Sequence, residues 1–330
     1  MVSRILSSVA AVLAVAQAAS AACTNPTQRK AWTTLTDAEK ADYLQAEVCL
    51  METPSKTGYA GSRTRWDELQ AMHVAQVQFI HAVGSFLPWH RYFMSVHEKL
   101  LRDECGYRGV LPYWDQQADL AAAPLNASSI FDAETGFGSI GMDGNDCVVD
   151  GPFANATNNL RVDLSRTDEA RCLTRRLSQT QFNMVSQAQV DLCSAHTTYD
   201  DFNNCIGGAV HVSGHFAVGG IMDDVSLSPA DPLFFMHHTN LDRIFWEWQS
   251  RDLANRLTDI GGPNVATPSV LIDAQPPSLP VAAFLPYFGD DGGNVTTLNH
   301  SLWSAGTMPN VTIAEVMDMR GDFVCAEYIH

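Results

Sequence analysis

Beyond its first 22 residues the sequence has no apolar run long enough to cross a bilayer, so no membrane-spanning helix is expected there. It is also poor in basic residues: 20 Lys and Arg against 37 Asp and Glu leave a formal charge of −17. Such a field repels nucleic acid and anionic membrane surfaces, and neither is expected as a partner. No flexible linker rich in Gly and Ser divides the chain, and there is no HExxH motif. With 46 % hydrophobic residues the sequence has ample material for one large core.

The opening MVSRILSSVAAVLAVAQAASAAC reads as a secretory signal peptide, residues 1–21, with a basic start, an apolar run and AxA cleavage patterns. Residues 22–330 are then expected to form one secreted domain. The eight cysteines, Cys23, Cys49, Cys105, Cys147, Cys172, Cys193, Cys205 and Cys325, form an even set, for which disulfides are the default outside the cell. Four bridges allow 105 connectivities. Because chain ends commonly lie close together, Cys23 or Cys49 is expected to pair with Cys325. Five sequons, at Asn126, Asn155, Asn294, Asn299 and Asn310, fit glycosylated surface loops.

What is present in quantity is histidine beside aromatic helices. In Asp231–Gln249, Asp231 can cap a helix and Pro232 suits its first position. Phe234, His238, Leu241, Phe245 and Trp248 then recur at steps of four, three, four and three, one face of a helix. Upstream, His211 and His215 are four apart and share a helical face. A second trio, His73, His81 and His90, lies in AMHVAQVQFIHAVGSFLPWHRYF. A helix is expected over Arg65–Phe79 with His73 on it, His81 on a loop, and another helix opening at Pro88 with His90 in its first turn.

Six of the eleven histidines thus fall into two trios with no thiolate or carboxylate among them. All-imidazole sites suit copper, zinc, iron or nickel, with copper binding tightest. Two such sites side by side would turn their open coordination positions towards each other, as needed to bridge a diatomic molecule. His237 neighbours His238, but consecutive helical residues differ by about 100°, so only one can face a metal. His238 shares the apolar face, which leaves His237 as a packed or hydrogen-bonded neighbour; His97, His196, His300 and His330 have no matching trio.

Elsewhere, Thr36 and Glu39 form a capping box ahead of a helical face at Ala41, Leu44 and Val48. Residues 116–163 read as a long surface excursion pinned by a disulfide, and 168–193 as helix and loop with Phe182, Met184 and Val185 for packing. Residues 261–286 read as extended backbone or short strands, and Asp322–Cys325 as a strand. Some of Arg91, Glu98, Asp242 and Arg243 are expected to be buried where two helices meet. Each metal-binding imidazole is expected to donate its other N–H to a carbonyl or a carboxylate, with Asp242 or Asp115 a candidate for the latter.

The segments HAVGSFLPWHRYFMSVHEKL with LPYWD, and SPADPLFFMHHTNLDRIFWEWQ, resemble the two copper signatures of the tyrosinase, catechol oxidase and hemocyanin family. The likeness runs from Arg29 to Tyr328 and is strongest to short secreted fungal polyphenol oxidases. It implies a mainly α fold: a four-helix bundle carrying a dinuclear copper site, with long loops and a few short strands. It also implies two copper ions, on His73, His81 and His90 and on His211, His215 and His238. Phenolic substrates, O2 as co-substrate, and a monomer or weak dimer follow from it too.

The family pattern is broken in places. Many relatives carry a cysteine, thioether-bonded to the second ligand, where this chain has Phe79. Strong monophenolases often have Asn after the fourth ligand, where this chain has Val212. Val225 stands where a residue often overhangs the first copper, and Phe216 is a candidate for shaping a phenol pocket. The resemblance therefore implies a catechol oxidase with weak or no monophenol hydroxylation. A full tyrosinase, an o-aminophenol oxidase, a hemocyanin-like oxygen carrier and a zinc hydrolase are the alternatives. The chain stops soon after CAEY, so no carboxyl-terminal lid is expected.

Overall fold

The computed structural model describes residues 23–139, 146–169, 171–266 and 294–329. The signal-peptide reading, and residues 267–286 of the segment expected to be extended over 261–286, lie outside them.

Six helices organise the chain: α1 (Asp37–Glu52), α2 (Arg65–Val74), α3 (Phe86–Cys105), α4 (Tyr199–Ile206), α5 (Val212–Val218) and α6 (Leu233–Ser250). Helices α2, α3, α5 and α6 form the bundle, in keeping with the expected mainly α architecture. Strands are few and short. β1 (Thr27–Ala31) lies between β2 (Leu111–Tyr113) and the carboxyl-terminal β5 (Ala326–Tyr328), parallel to both, while β3 (Ser301–Leu302) and β4 (Val311–Thr312) pair antiparallel. The register Arg29↔Leu111 and Arg29↔Tyr328 brings the two ends of the chain together beside α6.

The local signals hold at α1, where the Thr36–Glu39 capping box is formed. A second box, Thr64 with Asp67, opens α2. Three helix boundaries differ from expectation. α2 ends at Val74, and a separate turn, Val77–Ile80, follows. The break has a cause: the Gln76 amide donates to the Met72 carbonyl at 2.8 Å and to the Trp303 carbonyl at 2.9 Å, doing for the helix end what further backbone N–H groups would do. α3 begins at Phe86, two residues before Pro88, which puts His90 in its second turn. Proline fits there because the first turn's N–H groups have no intrahelical acceptors. α6 begins at Leu233, so Pro232 takes the cap position, while the Asp231 carboxylate accepts the Leu233 N–H at 2.9 Å.

Residues 116–163 are more than a surface excursion. Phe137, Phe153 and Leu160 are fully buried, and the segment opens with a helix, Gln116–Ala122. Arg175 anchors it: its guanidinium pairs with Asp231 at 2.7 Å and donates to the carbonyls of Phe137 and Gly138 at 2.9 Å. Phe182 and Val185 pack in the core as expected, but Met184 is 48 % exposed. Residues 322–324 form a turn rather than a strand, and the strand follows at Ala326.

Of the two partners considered for Cys325, the bond forms with Cys23. The others are Cys49–Cys105, Cys147–Cys172 and Cys193–Cys205. Among the described residues no helix is long and apolar enough to cross a membrane.

Candidate metal centre

α2 carries His73, the stretch after the Val77–Ile80 turn carries His81, and α3 carries His90. Their ring centroids are 4.9, 5.1 and 5.9 Å apart. The second group begins with His211 at the end of a π-helical turn, Gly207–His211, followed by His215 on α5 and His238 on α6. Here the separations are 4.7, 5.2 and 5.3 Å. Each group can bring one nitrogen per residue within 4.8 Å of the others, and by that measure His237 belongs with the second. The groups touch: His90 stacks on His238 at 4.3 Å, and His81 lies 6.0 Å from His211.

Ring orientation follows from hydrogen bonding. Five imidazoles place Nδ1 against a backbone carbonyl: His73 on Ser226 (2.9 Å), His81 on Val77 (2.9 Å), His90 on Phe86 (2.8 Å), His211 on Gly207 (3.2 Å) and His215 on Met222 (3.0 Å). A carbonyl only accepts, so Nδ1 carries the proton and Nε2 keeps a free lone pair. The buried Nε2 atoms of His73, His90 and His211 find no partner among the described residues. Those of His215 and His238 face each other at 3.1 Å. Two lone pairs at that separation repel unless a proton or a metal ion lies between them.

Burial, first of all, lowers the pKa of all six imidazoles and of His237, His81 to about 4. Neutral, buried imidazoles with unpartnered nitrogens converging on one place are what a metal of intermediate softness requires. These histidine groups suit a dinuclear copper centre.

Among the described residues no carboxylate bonds to any of these six rings. Asp242, one of two candidates for that role, accepts instead from Arg91 (2.5 Å), Arg29 (2.6 Å) and the Tyr328 hydroxyl (2.9 Å). Asp115, the other, caps the Gln116–Ala122 helix through the Ala118 N–H. The expected burial of charge between helices is found in Arg91 and Asp242, which join α3 to α6. His97 is no loose histidine either: it pairs with buried Glu47 at 3.0 Å and stacks on Phe235 at 3.8 Å.

Two aromatic residues escaped the sequence reading as contacts of both groups. Phe234 lies 5.3 Å from His73, 6.2 Å from His90, 5.7 Å from His215 and 4.1 Å from His238. Phe86 lies 6.1 Å from His81, 4.8 Å from His90 and 4.7 Å from His211. Their one sequence signal is position, each four residues before a histidine. Phe79 is buried, Val212 and Val225 are half-buried, and Phe216 is 41 % exposed and no core residue.

The profile of the common central domain of tyrosinase matches residues 63–251. Tyrosinase-like protein phomQ1 of Diaporthe leptostromiformis is 32 % identical over 332 residues, covering 93 % of this chain and 78 % of the relative. Tyrosinase ustQ of Aspergillus flavus is 31 % identical over 330 residues, covering 93 % and 80 %. A polyphenol oxidase from Thermothelomyces thermophila superposes with a TM-score of 0.75 at 25 % identity, over 92 % of this chain and 89 % of that one. A functional unit of octopus hemocyanin, at 20 % identity and a TM-score of 0.58 over 92 % and 68 %, shares the fold. Two buried histidine groups on a shared helical bundle, under a matched central domain, place this chain in the tyrosinase family of copper oxidases.

Proposed function

We propose that this protein oxidises o-diphenols to o-quinones, two diphenols and one O2 yielding two quinones and two waters. Its coppers would be held on His73, His81 and His90 and on His211, His215 and His238. One observation supports the ligand set: two buried triads in ring contact, with five of the six rings turned by a carbonyl on Nδ1 so that Nε2 faces inward. When bound, two copper ions exchange two electrons with O2 and act as Lewis acids towards phenolic oxygen.

The chain's own residues set the conditions. The carbonyls of Val77, Phe86, Gly207, Met222 and Ser226 hold the ring protons away from the metal positions. Phe86 and Phe234 each pack against imidazoles of both groups and surround them with apolar surface. Val212 follows His211 and offers no hydrogen-bonding group to orient a water that would deprotonate a monophenol. Phe216 presents an accessible aromatic face beside His215, and Val225 is too small to close the approach. Catechols are accordingly the preferred substrates.

Secretion fits the four disulfides and five exposed sequon asparagines, and residues 22–330 fit one catalytic domain acting as a monomer or weak dimer. The test adds catechol, then tyramine or tyrosine, to the copper-loaded protein while quinone absorbance is followed. Rapid catechol turnover with slow or no monophenol turnover is expected. Comparable rates on both would make it a full tyrosinase, reversible O2 uptake without quinone an oxygen carrier, and one zinc per chain a hydrolase.

A further inference from the structure

His237 is completely buried, lies within ligand reach of the second histidine group, and has no part in the reading above. Both its ring nitrogens are occupied. Nε2 lies 3.1 Å from the His211 carbonyl, and Nδ1 lies 2.9 Å from the side-chain oxygen Oε1 of Gln116, itself fully buried. A neutral imidazole has one N–H, and of its two oxygen neighbours only the Gln116 amide can turn to present a donor, so the proton sits on Nε2, against the fixed backbone carbonyl. Nδ1 then needs a donor. The Gln116 NH2 has no partner among the described residues, and a half-turn of the amide sets it against Nδ1. The lone pair is thereby spent on Gln116, on the far side of the ring from the His211 carbonyl.

The ring's seat is built for it. A Cβ added at Gly214 would meet His237 Cε1 at 2.2 Å and both ring nitrogens within 3 Å, so a glycine inside α5 makes the space. The hydrogen bond lands on His211, the last residue of the π-helical turn. Such turns interrupt the regular backbone ladder and concentrate at functional sites. His237 also stacks nearly parallel to the His211 ring (5.9 Å, 13°) and lies edge-on to His215 at 4.9 Å. One side chain on α6 therefore braces the turn that presents His211 and the helix that presents His215.

We propose that His237 is a positioning residue: its Nε2–H, donated to the His211 carbonyl from a seat made by Gly214 and Gln116, fixes the second copper group and sets its metal affinity. This rests on the copper reading above and assigns His237 a role other than ligand. Losing a group that orients a ligand costs roughly 10–100-fold in metal affinity.

The experiment is chelator competition on the full chain, with copper per chain measured for wild type, His237→Phe, His237→Gln, Gly214→Ala, His237→Ala and Gly214→Ala in the His237→Ala background. Thermal unfolding of the copper-free forms serves as the folding control. Wild type should hold two coppers. His237→Phe, which keeps the ring but not the N–H, should weaken one copper roughly 10–100-fold and leave the other unchanged. His237→Gln, whose amide N–H can reach the same carbonyl, should restore most of that loss. Gly214→Ala should weaken the same copper in the wild-type background and add nothing where His237 is already Ala.

Unchanged affinity in His237→Phe would overturn the proposal. So would equal losses in His237→Gln and His237→Phe, the result expected of a ring that itself binds metal. If His237→Phe fails to fold, Gly214→Ala and His237→Gln decide between these outcomes. A wild-type chain that takes up fewer than two coppers would instead overturn the copper reading, and this proposal with it.

Discussion

Arg91 on α3 donates to Asp242 on α6 at 2.5 Å, and both side chains are shut away from solvent. The same carboxylate takes Arg29 at 2.6 Å and the Tyr328 hydroxyl at 2.9 Å, so one residue of α6 ties together α3, β1 and β5. α3 and α6 are also the helices on which His90 and His238 stack.

Asp242→Asn should therefore be costly. It leaves two buried guanidiniums short of their counter-charge, and breaking such a cluster from one side costs about 3–5 kcal/mol. Denaturant unfolding of the copper-free protein should show this loss. A change below about 1 kcal/mol would mean that the cluster behaves like exposed ion pairs.

Phe234→Ala should damage both histidine groups at once, because the ring touches two imidazoles of each. Removing a fully buried phenylalanine typically costs about 3–5 kcal/mol. Metal analysis should show both coppers weakened, unlike the single loss expected for His237→Phe. Loss of one copper alone would show that Phe234 supports only one side.

Alkaline pH should unfold the protein through its tyrosines. Burial pushes the phenols of Tyr43, Tyr199 and Tyr328 well above their ordinary value and that of Tyr92 up to about 12. A folded-state pKa raised in this way favours the neutral phenol. Its contribution is complete below the unfolded value of about 10 and is lost as pH rises through the folded one. Ultraviolet difference spectra at pH 10–11 should show these four silent while the fold persists, then ionising together with unfolding. Early, complete ionisation of all eight tyrosines in folded protein would contradict it.

The Cys23–Cys325 bond closes a loop spanning 302 residues and clamps β5 against β1. Replacing both cysteines with serine should cost about 2–5 kcal/mol, chiefly by freeing the unfolded chain. Thermal unfolding measures the loss. Catechol turnover at 25 °C should survive, since the backbone pairing Thr27↔Ala326 to Arg29↔Tyr328 remains.

The sequence by itself determined the parts that depend on near neighbours. The trios were legible because helical periodicity puts His211 and His215 on one face and His238 among Phe234 and Leu241. The Thr36–Glu39 box and the bond from the Leu233 N–H to the Asp231 carboxylate were legible because each closes within three residues, although the cap position itself fell to Pro232. Three ring-orienting carbonyls, those of Val77, Phe86 and Gly207, also lie four residues before their histidines and followed the same local logic.

Tertiary structure alone decided the rest. Ser226 reaches His73 across 153 positions, and Gln116 reaches His237 across 121. Asp242, a plausible partner for an imidazole by sequence, was claimed by two arginines from distant elements. Only folding sets which polar groups compete for one another once water is gone, because that competition is settled by distance in space and not along the chain.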